Sequence, residues 1–124
     1  MKVCITSQGS TLESKIDPRF GRCAWFLIVD TETMEFEALE NAQAQTAGGA
    51  GIQSVQLMAE KDIKAVLTGN TGPNAFQTLN AAGIQIVTGV SGTVLEAVEK
   101  FKKGEFKTTE KPTVDSHFGM KGGN

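Results

Sequence analysis

The sequence AVLTGNTGPNAFQTLNAAGIQIVTGVSGTVLEAVEKF, residues 65–101, contains two successive strand-and-helix units. Each unit begins with a short apolar run, AVLT or IQIVT, and continues through a glycine-containing turn into a helical pattern. Pro73 suits the first position of the first helix, and Thr93 with Glu96 three residues later forms a capping box before the second. This alternation predicts two parallel crossovers in an α/β sheet.

The residues before this segment supply three further strands and one helix. Apolar or alternating runs at residues 2–7, 23–30 and 35–39 predict strands, and the last has the period-two pattern of a half-exposed edge. Helical spacing of apolar residues predicts a helix over residues 52–61. The order βββαβαβα therefore predicts a three-layer α/β domain, with a five-stranded mixed sheet and helices on both faces.

The length and composition predict one globular domain and a tail. The chain has 124 residues, enough for one ordinary core, and we expect that domain over residues 1–104. Residues 105–124 are rich in Lys, Thr and Gly and predict a flexible C-terminal tail. Because no apolar run approaches the roughly 20 residues of a membrane span and no export signal is present, we expect a cytoplasmic protein. We also expect no disulfide between Cys4 and Cys23.

Charge is divided unevenly between the body and the tail. Residues 1–99 carry six basic and eleven acidic side chains, a balance of −5, whereas residues 100–124 carry six against three, a balance of +3. The body has too few cations for a general phosphate-backbone binder, so we expect no nucleic-acid partner. Both arginines of the chain, Arg19 and Arg22, fall within four residues.

The segment DPRFGRC, residues 17–23, combines two cations, an aromatic ring, a glycine and a thiol just before a predicted buried strand. Such a set can hold an anionic ligand and offer it a soft sulfur donor. A surface turn explains the same residues equally well, with Asp17 paired to an arginine and Cys23 filling the core. The residues alone leave both interpretations open.

Strand directions place the loops at residues 8–22, 41–51, 69–72 and 89–92 at one edge of the sheet. Ligands of open α/β sheets bind outside the carboxyl ends of the strands, and amides at helix starts suit an anion. The candidate binding residues are therefore Asp17, Arg19, Phe20, Gly21, Arg22, Gly48, Gly49, Gly51, Gly69, Asn70 and Gly72. Tight loops explain each glycine-rich turn equally well when it is taken alone.

Two residues are candidate metal ligands. Cys23 is the best thiolate candidate, and His117 lies in DSHFG, residues 115–119, which echoes DPRFG at residues 17–21. An extended chain from residue 104 to residue 115 could span about 36 Å, which would carry the histidine across the domain. Outside the tail no serine has a partner histidine, and the sequence lacks Cys-x-x-Cys and His-Glu-x-x-His spacings, so we expect binding rather than catalysis.

Three motifs together resemble a known family. The first motif is DPRFGR followed by WFLIVD, at residues 17–22 and 25–30; the second is GGAGIQ at residues 48–53, and the third is TGNTGPNAF at residues 68–76. In this order they resemble the dinitrogenase iron-molybdenum cofactor biosynthesis family of NifX-like proteins. The resemblance covers residues 1 to about 103. It implies a ribonuclease H-like fold and a role in binding or carrying clusters that contain iron, sulfur or molybdenum.

The residues of this chain, rather than the resemblance, suggest how such a ligand is held, because family members commonly have a histidine where this chain has Arg19. In a non-catalytic carrier of an iron–sulfur or iron–molybdenum type cluster, Arg19 and Arg22 would offset the cluster charge and a delivery partner would receive the cargo. Nuclease activity is not expected, because ribonuclease H enzymes use carboxylates beginning on the first strand and residues 2–7 contain none. The alternative is a regulatory or scaffold domain that binds a protein partner or a small anionic metabolite without metal.

Overall fold

The computed structural model describes residues 1–41 and 50–109, with the backbone alone for residues 50–53. Its five strands are β1 Lys2–Ser7, β2 Trp25–Asp30, β3 Phe36–Glu40, β4 Ala65–Leu67 and β5 Gln85–Val87. Its three helices are α1 Ala50–Glu60, α2 Pro73–Ala81 and α3 Val94–Lys102. In this part of the chain no helix has the length and apolar character needed to cross a membrane.

The strands lie side by side in the order β3-β2-β1-β4-β5. β2 pairs antiparallel with both β1 and β3, whereas β4 pairs parallel with both β1 and β5. The predicted mixed sheet, its element order and the edge position of β3 are confirmed. Strands β1, β3, β4 and β5 end on one side of the sheet, and we call this side the carboxyl edge.

Alternation along each strand divides the core into two layers, one on each face of the sheet. The face that packs against α3 presents Val3, Ile5, Leu27, Val29, Leu67 and Val87 to Val94 and Val98. The opposite face packs Cys4, Phe26, Ile28, Val66 and Ile86 against Val55, Met58, Phe76 and Leu79 of α1 and α2. The predicted three-layer arrangement, with helices on both faces, is therefore confirmed.

Strand β2 begins two residues later than the apolar run predicts. The ladder with β1 ends at Trp25, and the two residues before it bond outside that ladder; the Ala24 carbonyl, for example, accepts from the Asn41 N–H at 3.0 Å. The N–H of Ala24 donates to the Asp17 carboxylate at 3.3 Å, and the carbonyl of Cys23 accepts from the Asn41 side-chain amide at 2.9 Å. These backbone groups have partners in Asp17 and Asn41, so they do not depend on pairing with β1.

The first five residues of the predicted tail contact the domain. Phe106 is half-buried against the α3-side core. The N–H of Thr109 donates to the Ile86 carbonyl at 2.6 Å, and Thr109 Oγ1 accepts from the N–H of Thr88 at 3.0 Å. These bonds attach residues 105–109, which we call the strap, to β5, one of the two edge strands of the sheet. Residues 110–124 lie outside the described residues, so the flexibility expected for them stays a prediction.

Candidate functional site

The loop after β1 crosses the carboxyl edge and contacts the start of α3. The N–H groups of the first two residues of α3 donate to the carbonyls of Ser14 and Leu12, both at 2.9 Å. The third helical N–H donates to Thr93 Oγ1, which is the predicted capping box. Because these acceptors engage the amides of the first turn, this helix start is already satisfied without a ligand.

The same loop is joined to the turn that precedes α2. Arg19 and Asn70 form a parallel bridge, in which the Asn70 N–H donates to the Pro18 carbonyl at 2.7 Å and the Phe20 N–H to the Asn70 carbonyl at 3.2 Å. Gly69 lies so close to this loop that a Cβ there would be 2.7 Å from Pro18 Cα. We call residues 17–24 the arginine loop; its first half and the turn before α2 form one hydrogen-bonded unit.

Asp17 supports the arginine loop from inside. Its side chain is almost fully buried, and its carboxylate accepts from the Arg19 N–H at 3.1 Å, from Arg19 Nε at 3.3 Å and from the Ala24 N–H at 3.3 Å. Its own carbonyl accepts from the Thr6 hydroxyl at 2.6 Å. The Asp17–arginine pair expected of a surface turn is therefore present, but its carboxylate faces the loop backbone rather than solvent.

The two arginines remain accessible at the surface of the loop. The Arg19 side chain is 64% exposed despite its contact with Asp17, and Arg22 is exposed. Within residues 1–41 and 50–109 no carboxylate lies within ion-pair distance of Arg22. Phe20 is half-buried and packs its ring 6.0 Å from that of Phe26, which holds the middle of the loop against the core. The arginine loop thus combines a fixed backbone with two exposed guanidinium groups.

Cys23 lies beneath this surface rather than on it. Its side chain is fully buried, and the Asn41 amide donates to the carbonyls of Gly21 and Cys23, both at 2.9 Å. Burial, reinforced by the negative charge of Asp17, raises the pKa of the Cys23 thiol to about 12. In this conformation burial therefore favours the protonated thiol at neutral pH, and the role of Cys23 as a metal ligand stays a prediction.

The other candidate metal ligands do not form a cluster in the described structure. Cys4 is buried in the same core layer as Cys23, both thiols are free, and burial raises the pKa of Cys4 well above its usual value. Within the described residues, no group of three His, Cys, Asp or Glu side chains is arranged to hold a metal ion. His117 lies outside the described residues, and its role stays a prediction.

Of the two glycine-rich helix starts, the structure describes the one before α2 in full and the one before α1 only in part. Helix α2 has Gly72 as its N-cap, which has no side chain to accept a bond, and Pro73 follows at the first helical position. This start directly follows the turn that holds the arginine loop. Gly51, predicted to lie in a loop, belongs to the first turn of α1, whereas Gly48 and Gly49 lie outside the described residues.

Three polar residues beneath the site were missed from the sequence. The Thr6 and Thr68 hydroxyls lie 2.9 Å apart at the ends of two neighbouring strands, and both residues are fully buried. Asn41, which follows β3, holds the carbonyls of the arginine loop. A polar residue at the carboxyl end of an apolar strand is the sequence signal that Thr6 and Thr68 share, whereas Asn41 follows the half-exposed strand β3 and has no such signal.

These observations define a small α/β domain with a candidate anion site at the carboxyl edge of its sheet. The chain belongs to the family described as dinitrogenase iron-molybdenum cofactor, whose model matches residues 1–104. The family predicted from the three motifs is therefore confirmed.

Known proteins of similar sequence and structure agree with this placement. The apo form of the orange protein from Desulfovibrio gigas superimposes with a TM-score of 0.86 at 39% identity, covering 90% of this chain and 95% of that one. A NifB-like protein from Thermotoga has a TM-score of 0.77 at 36% identity, covering 90% and 97%. The uncharacterised protein MJ0580 of Methanocaldococcus jannaschii is 29% identical over 100 residues, which are 78% of this chain and 85% of that protein.

Proposed function

We propose that this protein is a non-catalytic carrier that binds an anionic iron–sulfur or molybdenum-containing cluster at the carboxyl edge of its sheet. Membership of the dinitrogenase iron-molybdenum cofactor family supports a cluster of this type as the cargo. The observation that carries the proposal is the arginine loop. Both arginines of the chain, Arg19 and Arg22, are exposed on a loop that is hydrogen-bonded to the turn before α2.

The electrostatics of the loop suit an anion better than a bare metal ion. Asp17 engages the Nε of Arg19 and leaves the two terminal guanidinium nitrogens out of that contact. Guanidinium groups donate paired, charge-assisted hydrogen bonds to anionic ligands. The positive end of the α2 dipole adds a favourable field beside them, and Gly72 at its N-cap has no side chain that would keep a ligand away from the backbone.

We propose that the cargo is held as an anion, without a bond to a Cys23 thiolate. Ionising Cys23 would place a second negative charge near the buried Asp17, and this is one cause of the raised pKa of the thiol. A protein that hands its cargo to a partner is served by contacts that form and break without ligand exchange at a metal. His117 is an additional proposed contact, which can be tested separately.

The direct test uses reduced protein under anaerobic conditions, with tetrathiomolybdate and a synthetic iron–sulfur cluster as the two probes. Cluster absorbance that travels with the protein in gel filtration is the expected result, and titration gives the affinity. Each exposed arginine contributes about 0.5–1 kcal/mol, so Arg19→Gln/Arg22→Gln should bind about 5- to 30-fold more weakly. The control Lys102→Gln/Lys103→Gln removes the same charge at the far end of α3 and should bind like the wild type.

Several results would decide against parts of this proposal. Retention of neither probe by the wild type would overturn cluster binding, and binding of a phosphorylated metabolite in its place would favour the regulatory alternative. Equal losses of cluster affinity in the arginine and lysine variants would show that the binding site does not lie at the arginine loop. Cys23→Ser should lower affinity less than the arginine double variant, and weaker retention by His117→Ala would add the tail to the site.

A further inference from the structure

Strand β3 presents an open edge to solvent. It is the edge strand opposite β5, and within the described residues nothing pairs with its outer side. The Glu35 carbonyl and the Asn41 N–H, which flank the strand, both bond inward to the chain at β2. Because inward and outward bonding alternate along an antiparallel strand, Phe36, Ala38 and Glu40 direct their N–H and C=O groups toward the open side.

The two faces of this edge differ in chemistry. Phe36 and Ala38 extend the apolar layer on the α3 side of the sheet, yet Phe36 is 42% exposed. On the opposite face Glu35 and Glu37 are both exposed, and the Glu37 carboxylate contacts Lys61 at 3.3 Å. A strand added here would therefore meet Phe36 and Ala38 on one face, which ends at Glu40, and Glu35 and Glu37 on the other face, which ends at Leu39.

We propose that the β3 edge is a docking site for an extended segment of a partner protein, in which apolar and basic residues alternate. The segment adds a sixth strand, exchanging main-chain hydrogen bonds with Phe36, Ala38 and Glu40. Because side chains alternate between faces with period two, its apolar residues cover Phe36 and Ala38 while its basic residues face Glu35 and Glu37.

Charge selects this partner over a second copy of the chain. Antiparallel pairing of two β3 strands would bring glutamates of both copies together on one face, and like charges across neighbouring strands oppose pairing. The docked segment also ends near the candidate site, because Asn41 follows β3 and holds the carbonyls of Gly21 and Cys23. The proposed docking at the β3 edge does not depend on cluster binding by the arginine loop.

The test uses a fluorescent octapeptide of alternating valine and lysine, with a block isomer of four valines followed by four lysines as control. The alternating peptide should shift the amide NMR signals of Phe36, Ala38 and Glu40 and slow their hydrogen exchange. It should bind at least tenfold more tightly than the block isomer of equal charge. Ala38→Pro removes an outward N–H and no inward bond, so it should weaken binding about tenfold.

A charge-reversal pair keeps the test decisive if Ala38→Pro does not fold. Glu35→Lys/Glu37→Lys should abolish binding, whereas Glu13→Lys/Glu99→Lys changes two exposed glutamates elsewhere and should lower affinity by less than threefold. Equal binding of the two peptides, or no perturbation of β3 at millimolar peptide, would overturn the proposal. Concentration-dependent broadening of the same amides without peptide would assign the edge to self-association and equally overturn it.

Discussion

Replacing Gly69 with alanine should separate the arginine loop from the turn before α2 while leaving the rest of the fold in place. A Cβ at this position would lie 2.7 Å from Pro18 Cα and 2.9 Å from both Pro18 Cβ and the Pro18 carbonyl oxygen. Two of these three atoms belong to the backbone, so rotating a side chain cannot relieve the overlap. The loop itself must move.

The size of the displacement follows from the contact distances. Ordinary contact begins near 3.4 Å, so the Pro18 backbone must shift by about 0.7 Å from its present 2.7 Å. A shift of this size lengthens the 2.7 Å bond from Asn70 to the Pro18 carbonyl beyond a normal hydrogen bond and weakens the Phe20 bond beside it. Two bonds at about 1 kcal/mol each, together with residual strain and less the gain from a stiffer unfolded chain, give a net loss of about 1–3 kcal/mol.

Thermal unfolding, amide NMR and anion titration measure the consequences together. For a domain of this size the loss corresponds to a melting temperature about 4–12 °C lower. The signals of Arg19, Phe20 and Asn70 should move, and affinity for the tetrathiomolybdate probe should fall with them. Gly83→Ala is the matched control, because Gly83 has a φ of 76° in open space and alanine there costs about 1–2 kcal/mol of backbone strain.

The control distinguishes loss of stability from loss of the site. Gly83→Ala should lower the melting temperature by a comparable amount yet leave the arginine-loop signals and probe affinity unchanged. If Gly69→Ala is as stable as the wild type and the Arg19 and Asn70 signals stay in place, the close approach to Pro18 does not fix the loop. The reasoning for the site geometry would then fail.

Three further predictions follow from the strap, the buried thiol and the helix cap. Truncation after Gly104 removes the contacts of residues 105–109 and should lower the free energy of unfolding in urea by about 1–3 kcal/mol, whereas truncation after Thr109 should change it little; equal effects would contradict the strap. Because burial raises the pKa of Cys23 from 9.0 to about 12, its contribution to stability is complete below pH 9 and lost as the pH rises toward 12. The urea midpoint should therefore fall more steeply over this range in the wild type than in Cys23→Ala, and parallel curves would contradict the raised pKa. Thr93→Ala should cost about 1 kcal/mol of stability and so lower the melting temperature by a few degrees, whereas Thr93→Ser should keep most of the stability of the wild type. An unchanged melting temperature in Thr93→Ala would show that the cap contributes nothing.

The elements and their order were predictable from the sequence because they depend on local patterns. The period-two alternation around Phe36 identified an edge strand, and Thr93 with Glu96 identified a helix start within one residue. Strand direction alone brought residues 8–22 and 69–72 to one edge. These features need only the chain geometry of neighbouring residues and the handedness of parallel crossovers.

The chemistry of the site was decided by tertiary structure, because it depends on partners that are distant in sequence. The sequence presents Cys23 equally as a ligand or as core, whereas the structure shows that its side chain is buried in the core layer of Phe26 and Phe76, and this burial raises the pKa of its thiol. Asp17 became an internal support only when the loop folded back over its carboxylate. The sequence shows where a thiol or carboxylate occurs. Its exposure depends on the tertiary packing around it, and its ionisation depends on the resulting desolvation, which no local pattern encodes.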